Sequence, residues 1–206
     1  MNYSVVIVAA GKGKRADLGY NKVLYEMKDG RTVLEKAAGL FLDDEDCKEV
    51  IIVTDEGTPV PDHPKVKRTI GGKERKDSVY NGLSLVSFEY VFIHDAARPF
   101  LSEKALKEVK EAVIEKKAVI LAKRSTDTVK IVKDGKIEKT LDRNTVYLAE
   151  TPQAFETELL QKAYEICGED VTDDASLLEK AGIPVYIVEN DTPNPKLTRQ
   201  EDFEGL

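Results

Sequence analysis

The chain has little sulphur, little histidine and no tryptophan: its 206 residues include two cysteines, two methionines and two histidines. Cys47 and Cys167 lie far apart, and neither has a metal-type neighbour at zinc-site spacing, so both read as structural thiols. His63 and His94 are too few for a histidine-based metal cluster. Any divalent cation therefore falls to carboxylates and substrate phosphates, a description that fits Mg²⁺. His94 itself reads as structural. The same scarcity leaves no support for a Ser-His-Asp or Cys-His nucleophile. An apolar run of membrane-spanning length is missing, as is a basic, then apolar, leader, so the expectation is a soluble, cytoplasmic protein. Nor does any Pro/Gly/Ser-rich linker divide the sequence, and residues 1–206 read as one domain.

Charge is plentiful. Charged residues make up 33% of the chain and the net charge is −7, so the surface as a whole repels nucleic acid and anionic membranes. An anion site must then be a local basic focus. Ser4 to Lys22, SVVIVAAGKGKRADLGYNK, has that form. Val5 to Val8 read as a buried parallel strand, and Gly11 and Gly13 allow close backbone approach. Backbone N–H groups can converge there on phosphate oxygens, with Lys12, Lys14, Arg15 and Lys22 supplying charge. The spacing meets the dinucleotide pattern only loosely, through Gly11, Gly13 and Ala16, and the P-loop pattern is absent.

Downstream, strands and helices alternate. Helical spacing and a Thr32/Glu35 capping box predict a helix over Thr32 to Leu42. Apolar runs at Val50–Val53, Val66–Ile70, Tyr90–Ile93 and Ala118–Ala122 predict buried strands, with helices over 75–86 and Ser102 to Ile114. This order implies a mostly parallel α/β sheet flanked by helices on both faces, binding ligands at the carboxyl ends of its strands. The pattern breaks at Thr128–Val132, Asp134-Gly135 and Ile137–Leu141, an alternating β-hairpin that cannot be a crossover unit. Within residues 124–150 it is expected to leave the sheet as an arm whose apolar face needs a partner, such as a second subunit. A short strand at Val146–Leu148, helices over Phe155–Ile166 and from Thr172 to Ala181, a core strand at Val185–Val188 and a terminal helix capped by Thr198 and Glu201 complete the reading.

Polar clusters fall just after the apolar strands. Gly71 to Ser78, GGKERKDS, offers glycine backbone, a hydroxyl and helix-terminal N–H groups that could read a nucleobase edge; its alternative is a solvated connection. His94 to Pro99, HDAARP, places Asp95 where it can ligate Mg²⁺ and Arg98 where it can grip phosphate; its alternative is an Asp-Arg pair closing a loop. Lys196 precedes the terminal helix.

These segments, AAGKGKR, GGKERKDSV and HDAARPF, together with STDTVK, LDRN, ETPQAF, TDDAS and NPKLT, resemble in order the motifs of the 2-C-methyl-D-erythritol 4-phosphate cytidylyltransferases. Ribitol-phosphate cytidylyltransferases share most of them. The resemblance spans nearly the whole chain and implies a Rossmann-like nucleotidyltransferase fold with a protruding hairpin arm, dependence on Mg²⁺ or another divalent cation, and a homodimer joined through the arm. Implied too is CMP transfer from CTP to a polyol phosphate, a step of non-mevalonate isoprenoid biosynthesis. By the same resemblance, Arg15, Lys22 and Lys196 are the catalytic cations. Ala9, Ala10, Gly11, Gly13, Gly71, Gly72, Ser78 and Ala96 match the CTP site. Asp95, Arg98, Thr128, Arg143 and Thr151 match the polyol-phosphate site, with Asp95 also the metal ligand. The family usually has proline before the lysine matching Lys22; here Asn21 stands there, which implies a less rigid loop. Ribitol phosphate as acceptor, a non-catalytic nucleotide-binding module and, more distantly, an NAD-linked dehydrogenase are the competing readings.

Overall fold

The computed structural model describes residues 1–11, 19–166 and 171–206. Gly13, Arg15 and the other cations of the first loop's centre, with Cys167, lie outside them. Tyr3–Val8 is β1, whose neighbours are β2 (Cys47–Thr54) and, on its other edge, β4 (Tyr90–Asp95). With β3 (Val66–Ile70) outside β2, these strands are all parallel. Successive residues of β1 point to opposite faces, and both faces are apolar because helices cover both.

On one face Tyr3, Val5 and Ile7 pack under α1 (Val33–Asp43) and α3 (Glu103–Lys116), whose Leu34, Phe41, Leu106, Val109 and Val113 are buried. On the other, Val6 meets Val79 and Leu83 of α2 (Arg75–Leu83). Leu160 and Ala163 of α4 (Thr157–Ile166) and Leu177 and Leu178 of α5 (Asp174–Lys180) continue that layer. Local signals agree with this packing: Thr32 and Glu35 make both halves of the capping box before α1, and Ser102 caps α3.

Among the described residues the main sheet has seven strands in the order β3-β2-β1-β4-β8-β5-β9, where β5 is Ala118–Arg124, β8 Tyr147–Glu156 and β9 Tyr186–Glu189. The mostly parallel α/β architecture matches expectation, but β8 corrects it in detail. It is a continuous strand of 10 residues, antiparallel to both β4 and β5, so Thr151 to Phe155 are strand and α4 starts only at Thr157. The ladders hold it on either side of an irregularity: Tyr147–Ala149 pair with β5 and Gln153–Phe155 with both β4 and β5, while residues 150–152 stand opposite Leu121 out of register. The last strand, expected in the core, lies at the sheet edge with Tyr186 and Ile187 exposed. The terminal helix is a 3₁₀ turn, Gln200–Phe203, and it is Asp202 that accepts from the Thr198 and Arg199 N–H groups.

The hairpin stands apart. Strands β6 (Lys130–Lys133) and β7 (Lys136–Thr140) form a sheet of their own around Asp134 and Gly135, whose φ angles of 49° and 77° are what a two-residue hairpin turn requires. Ile131, Val132 and Ile137 are exposed on it. No helix among the described residues is long and apolar enough to cross a membrane.

Candidate functional site

Because β1 and β4 run parallel with Val8 opposite Asp95, the loops that leave them emerge side by side. The Gly71-Gly72 turn leaves β3 on the same edge, tied by the Gly71 N–H to the Thr54 carbonyl at 2.9 Å. A cavity of about 540 Å³ opens there. Ala9, Ala10, Gly11 and Lys22 line it from one side, Gly72, Arg75 and Ser78 from another, and Asp95 and Lys196 from beneath and across.

Two glycine positions explain how backbone comes so close. A Cβ on Gly71 would stand 2.3 Å from Ala10 Cβ, and one on Gly72 would stand 2.2 Å from Asp77 Cβ, so neither tolerates a side chain without movement. Ser78 is buried; its hydroxyl accepts from Gly72 N–H at 3.1 Å and donates to the Glu74 carbonyl at 3.1 Å. It therefore shapes the glycine turn.

The C-terminal segment closes the cavity. Leu197 N–H donates to the Ala97 carbonyl at 2.8 Å, and Lys22 Nζ donates to the Leu197 carbonyl at 2.5 Å. Arg98 Nη1 donates to the Asn194 carbonyl at 2.6 Å. Asn194 Nδ2 in turn reaches the Thr151 carbonyl at 2.9 Å and Glu150 at 3.1 Å. Lys22 and Lys196, 174 positions apart in numbering, thus face one space.

At its floor lies a charge network. Lys196 Nζ is 2.6 Å from Asp95 Oδ2, Arg75 Nε is 3.3 Å from Asp95 Oδ1, and Arg75 Nη1 is 2.7 Å from Asp174 Oδ2. Burial opposes ionisation of Asp95, but the Arg75 guanidinium and the Lys196 ammonium outweigh it and hold the carboxyl well below the usual carboxylate range. Burial likewise works against the charge of Arg75, and Asp174 and Asp95 outweigh it.

Behind Asp95, His94 is fully buried and its pKa is pushed down to about 4, chiefly by desolvation. Its Nε2 lies 3.1 Å from the Arg98 carbonyl, which can only accept, so Nε2 carries the proton and Nδ1 is an acceptor. Thr151 must then donate its hydroxyl to His94 Nδ1 at 3.1 Å, while it accepts from Asp95 N–H at 3.0 Å. The expectation that His94 is structural holds. It clasps the HDAAR loop from below.

The sequence-derived candidates divide accordingly. Ala9, Ala10, Gly11, Lys22, Gly72, Ser78, Asp95 and Lys196 share the cavity lining. Gly71 shapes it from behind, and Ala96 is buried with its N–H on the Val8 carbonyl at 3.2 Å. Two expected phosphate ligands are otherwise engaged. Arg98 lies off the lining, clamped to Asn194 with its side chain near Glu150, and its pKa is lowered by burial. Thr151 is buried beneath Asp95. Thr128 and Arg143 sit exposed at the foot of the hairpin, away from this chain's cavity. At the position of the family's proline, Asn21 has a φ of −65°, which suits proline, and its side chain bonds the Ala9 carbonyl at 3.2 Å and Thr58 Oγ1 at 3.4 Å. Arg75 went unnoticed in the sequence, one cation in a charged run; its position as first residue of a helix after a glycine turn was the available signal.

For a divalent cation, no group of three or more potential ligands occurs among the described residues. Asp95 is the carboxylate on the cavity floor, and ion pairs to Arg75 and Lys196 leave further lone pairs on its oxygens. Such a donor set fits Mg²⁺, which commonly takes one or two carboxylates and completes its shell with substrate phosphates and water.

The family model for 2-C-methyl-D-erythritol 4-phosphate cytidylyltransferase matches residues 3–205. An enzyme of that name from Geobacillus thermodenitrificans is 40% identical, with 98% of this chain and 94% of the relative covered. The fold superimposes on the crystal structure of the Francisella tularensis enzyme with a TM-score of 0.86 at 33% identity, covering 99% of this chain and 97% of that one. The Thermus thermophilus enzyme gives 0.83 at 31%, covering 98% and 96%. The chain belongs to the 2-C-methyl-D-erythritol 4-phosphate cytidylyltransferase family, whose members are CTP-dependent nucleotidyltransferases.

Proposed function

We propose that this protein transfers CMP from CTP to 2-C-methyl-D-erythritol 4-phosphate, giving 4-diphosphocytidyl-2-C-methyl-D-erythritol and pyrophosphate. The observation that carries the reading is the meeting of Lys22, Asp95 and Lys196 in one cavity with a glycine turn at its wall. These residues supply charge and orientation, which is what phosphoryl transfer asks of a protein. The acceptor brings its own nucleophile, because a phosphate monoester has a second pKa of about 6 and is largely dianionic near neutral pH. Its oxygen forms a bond to the α-phosphorus as the bond from that phosphorus to the α,β-bridging oxygen breaks, and pyrophosphate leaves.

In this reading Lys22, with Arg15, neutralises charge growing on the α-phosphoryl group and the leaving pyrophosphate, and Lys196 helps to hold acceptor and donor in line. Ala9, Ala10, Gly11 and Gly13 offer backbone to the triphosphate, and Gly71, Gly72 and Ser78, with Ala96, form the cytosine side. Asp95 would hold Mg²⁺, which when bound supplies neutralisation of the triphosphate. Asp95 and Arg98 border the acceptor, with Thr151 fixing Asp95 from below.

Thr128 and Arg143 belong, on this proposal, to the partner's acceptor site in a homodimer joined through the arm of residues 124–150. The exposed Ile131, Val132 and Ile137 are the apolar face that a second subunit would cover. Both substrates are highly charged and water-soluble, which suits an enzyme of the cytoplasm. A panel of the four nucleoside triphosphates against methylerythritol and ribitol phosphates, read by pyrophosphate release, tests the reading. CTP with methylerythritol phosphate is the pairing expected to react fastest.

A further inference from the structure

Asp95 has two cationic partners of different kinds. Lys196 is 39% exposed at its side chain and enters from the C-terminal segment; its ion pair with Asp95 faces the cavity. Arg75 is more enclosed, and its second anchor, Asp174, is 1% exposed. Asp174 is itself fixed: its Oδ1 accepts from Tyr164 of α4 at 2.8 Å. The start of α5 is tied to β8, where Gln153 donates to Asp173 at 2.8 Å and accepts from Ala175 N–H at 3.1 Å. A line of direct contacts thus runs from the helical layer, through Arg75, to the carboxylate on the cavity floor.

Resting on the cytidylyltransferase reading, we infer that Arg75 is a positioning residue: clamped to Asp174, it is the standing counter-ion of Asp95, so that Lys196 can leave Asp95 for a substrate phosphate. Without Arg75, the arrival of a phosphate would set Lys196 between two anions, and a nearly buried carboxylate would lose its last direct ion-pair partner in the chain when Lys196 departed, with only the more remote Arg98 charge left. With Arg75 in place, Asp95 keeps a partner and its orientation through the exchange. A planar guanidinium can bridge two carboxylates through separate N–H groups; an ammonium presents a single charged point, so Lys at this position does not replace it.

The test uses Arg75→Lys, Arg75→Gln and Asp174→Asn in the full-length protein. Asp174 is not on the cavity lining and touches no substrate in this account. Lowered kcat is expected in all three, by about thirtyfold for Arg75→Gln and about tenfold for Asp174→Asn, with KM for CTP within about threefold of wild type. The Arg75→Gln/Asp174→Asn pair should be no slower than Arg75→Gln alone, since both changes disable one clamp. Crystal structures of the single variants should show the Asp95 carboxylate displaced. Variants that melt earlier yet keep wild-type kcat, with Asp95 in its original place, overturn the inference and leave Arg75 a fold-stabilising contact. A wild-type protein inactive with CTP and methylerythritol phosphate defeats the functional reading instead, and the position of Asp95 in the Asp174→Asn crystal then decides the clamp by itself.

Discussion

The Lys196 ammonium stands 2.6 Å from Asp95 Oδ2, which pairs an exposed cation of the cavity with a nearly buried carboxylate. Such a pair is held together by burial on one side and is open to exchange on the other. Lys196→Ala should therefore spare the fold and strike the reaction, lowering kcat by about 100-fold, or about 3 kcal/mol of transition-state stabilisation. Steady-state pyrophosphate release checks this. A kcat within threefold or so of wild type would make Lys196 a bystander of Asp95.

Gly71 separates a functional effect from a stability effect when set against Gly82. A Cβ at Gly71 meets Ala10 Cβ at 2.3 Å and Ser78 Oγ at 3.0 Å, on the cavity wall; at Gly82 it meets Val6 Cγ1 at 2.5 Å, in the core. Both Gly→Ala variants should lose about 1–3 kcal/mol of stability from overpacking. Only Gly71→Ala should also raise the KM for CTP, by about tenfold, because it pushes Ala10 into the nucleotide's space. Denaturant midpoints and CTP titrations measure the two effects independently.

Alkaline pH probes the buried end of β2. Burial pushes the Cys47 thiol up to about 12, with Asp44 adding to the effect, and moves the Tyr3 phenol well above the ordinary phenol range for the same first reason. Folding thus keeps a proton on Cys47 that the unfolded chain loses from about pH 9. The stability tied to that proton is fully present below pH 9 and is lost as pH rises towards 12, to the extent of about 4 kcal/mol over the window. Urea midpoints should fall from about pH 9 upward, and Cys47→Ala should flatten the fall below about pH 10, before unfolded-state phenols ionise. An unchanged slope in that variant would mean that the thiol titrates normally.

How much of this was legible in the sequence depends on range. Where neighbours carried the signal, the sequence spoke clearly: Thr32 and Glu35 predicted their own capping box, and Asp134-Gly135 predicted its turn. The pattern after the hairpin predicts a strand only over Val146–Leu148 and a helix from Phe155; the strand runs on to Glu156 because Gln153–Phe155 pair with β4 and β5, which lie far away in the chain. The cavity's glycines and Lys22 could be named from pattern and family resemblance. Only its place at the start of a helix sets Arg75 apart from Lys73 and Lys76 in the sequence, and the contact that decides its role, with Asp174, lies 99 positions on. Nor does the sequence show that Arg98 holds the Asn194 carbonyl or that Thr151 bonds His94, partners far off in numbering.

The hairpin supplies a test of shared sites. If Arg143 serves the partner's acceptor phosphate, Lys22→Ala and Arg143→Ala homodimers should each be nearly inactive, with Lys22→Ala losing kcat far more than affinity for CTP. Mixed dimers contain one site with both residues intact, so activity should partly return on subunit exchange. Proven exchange without recovery would mean that each chain completes its own site.

The most direct test of the central claim follows the phosphorus atoms themselves. Phosphorus NMR of the wild-type protein with CTP, methylerythritol 4-phosphate and Mg²⁺ should show the triphosphate and monoester signals replaced by a diphosphodiester and an equal amount of pyrophosphate, with nothing formed when the acceptor is left out. A spectrum in which CTP and the monoester persist together would contradict the account.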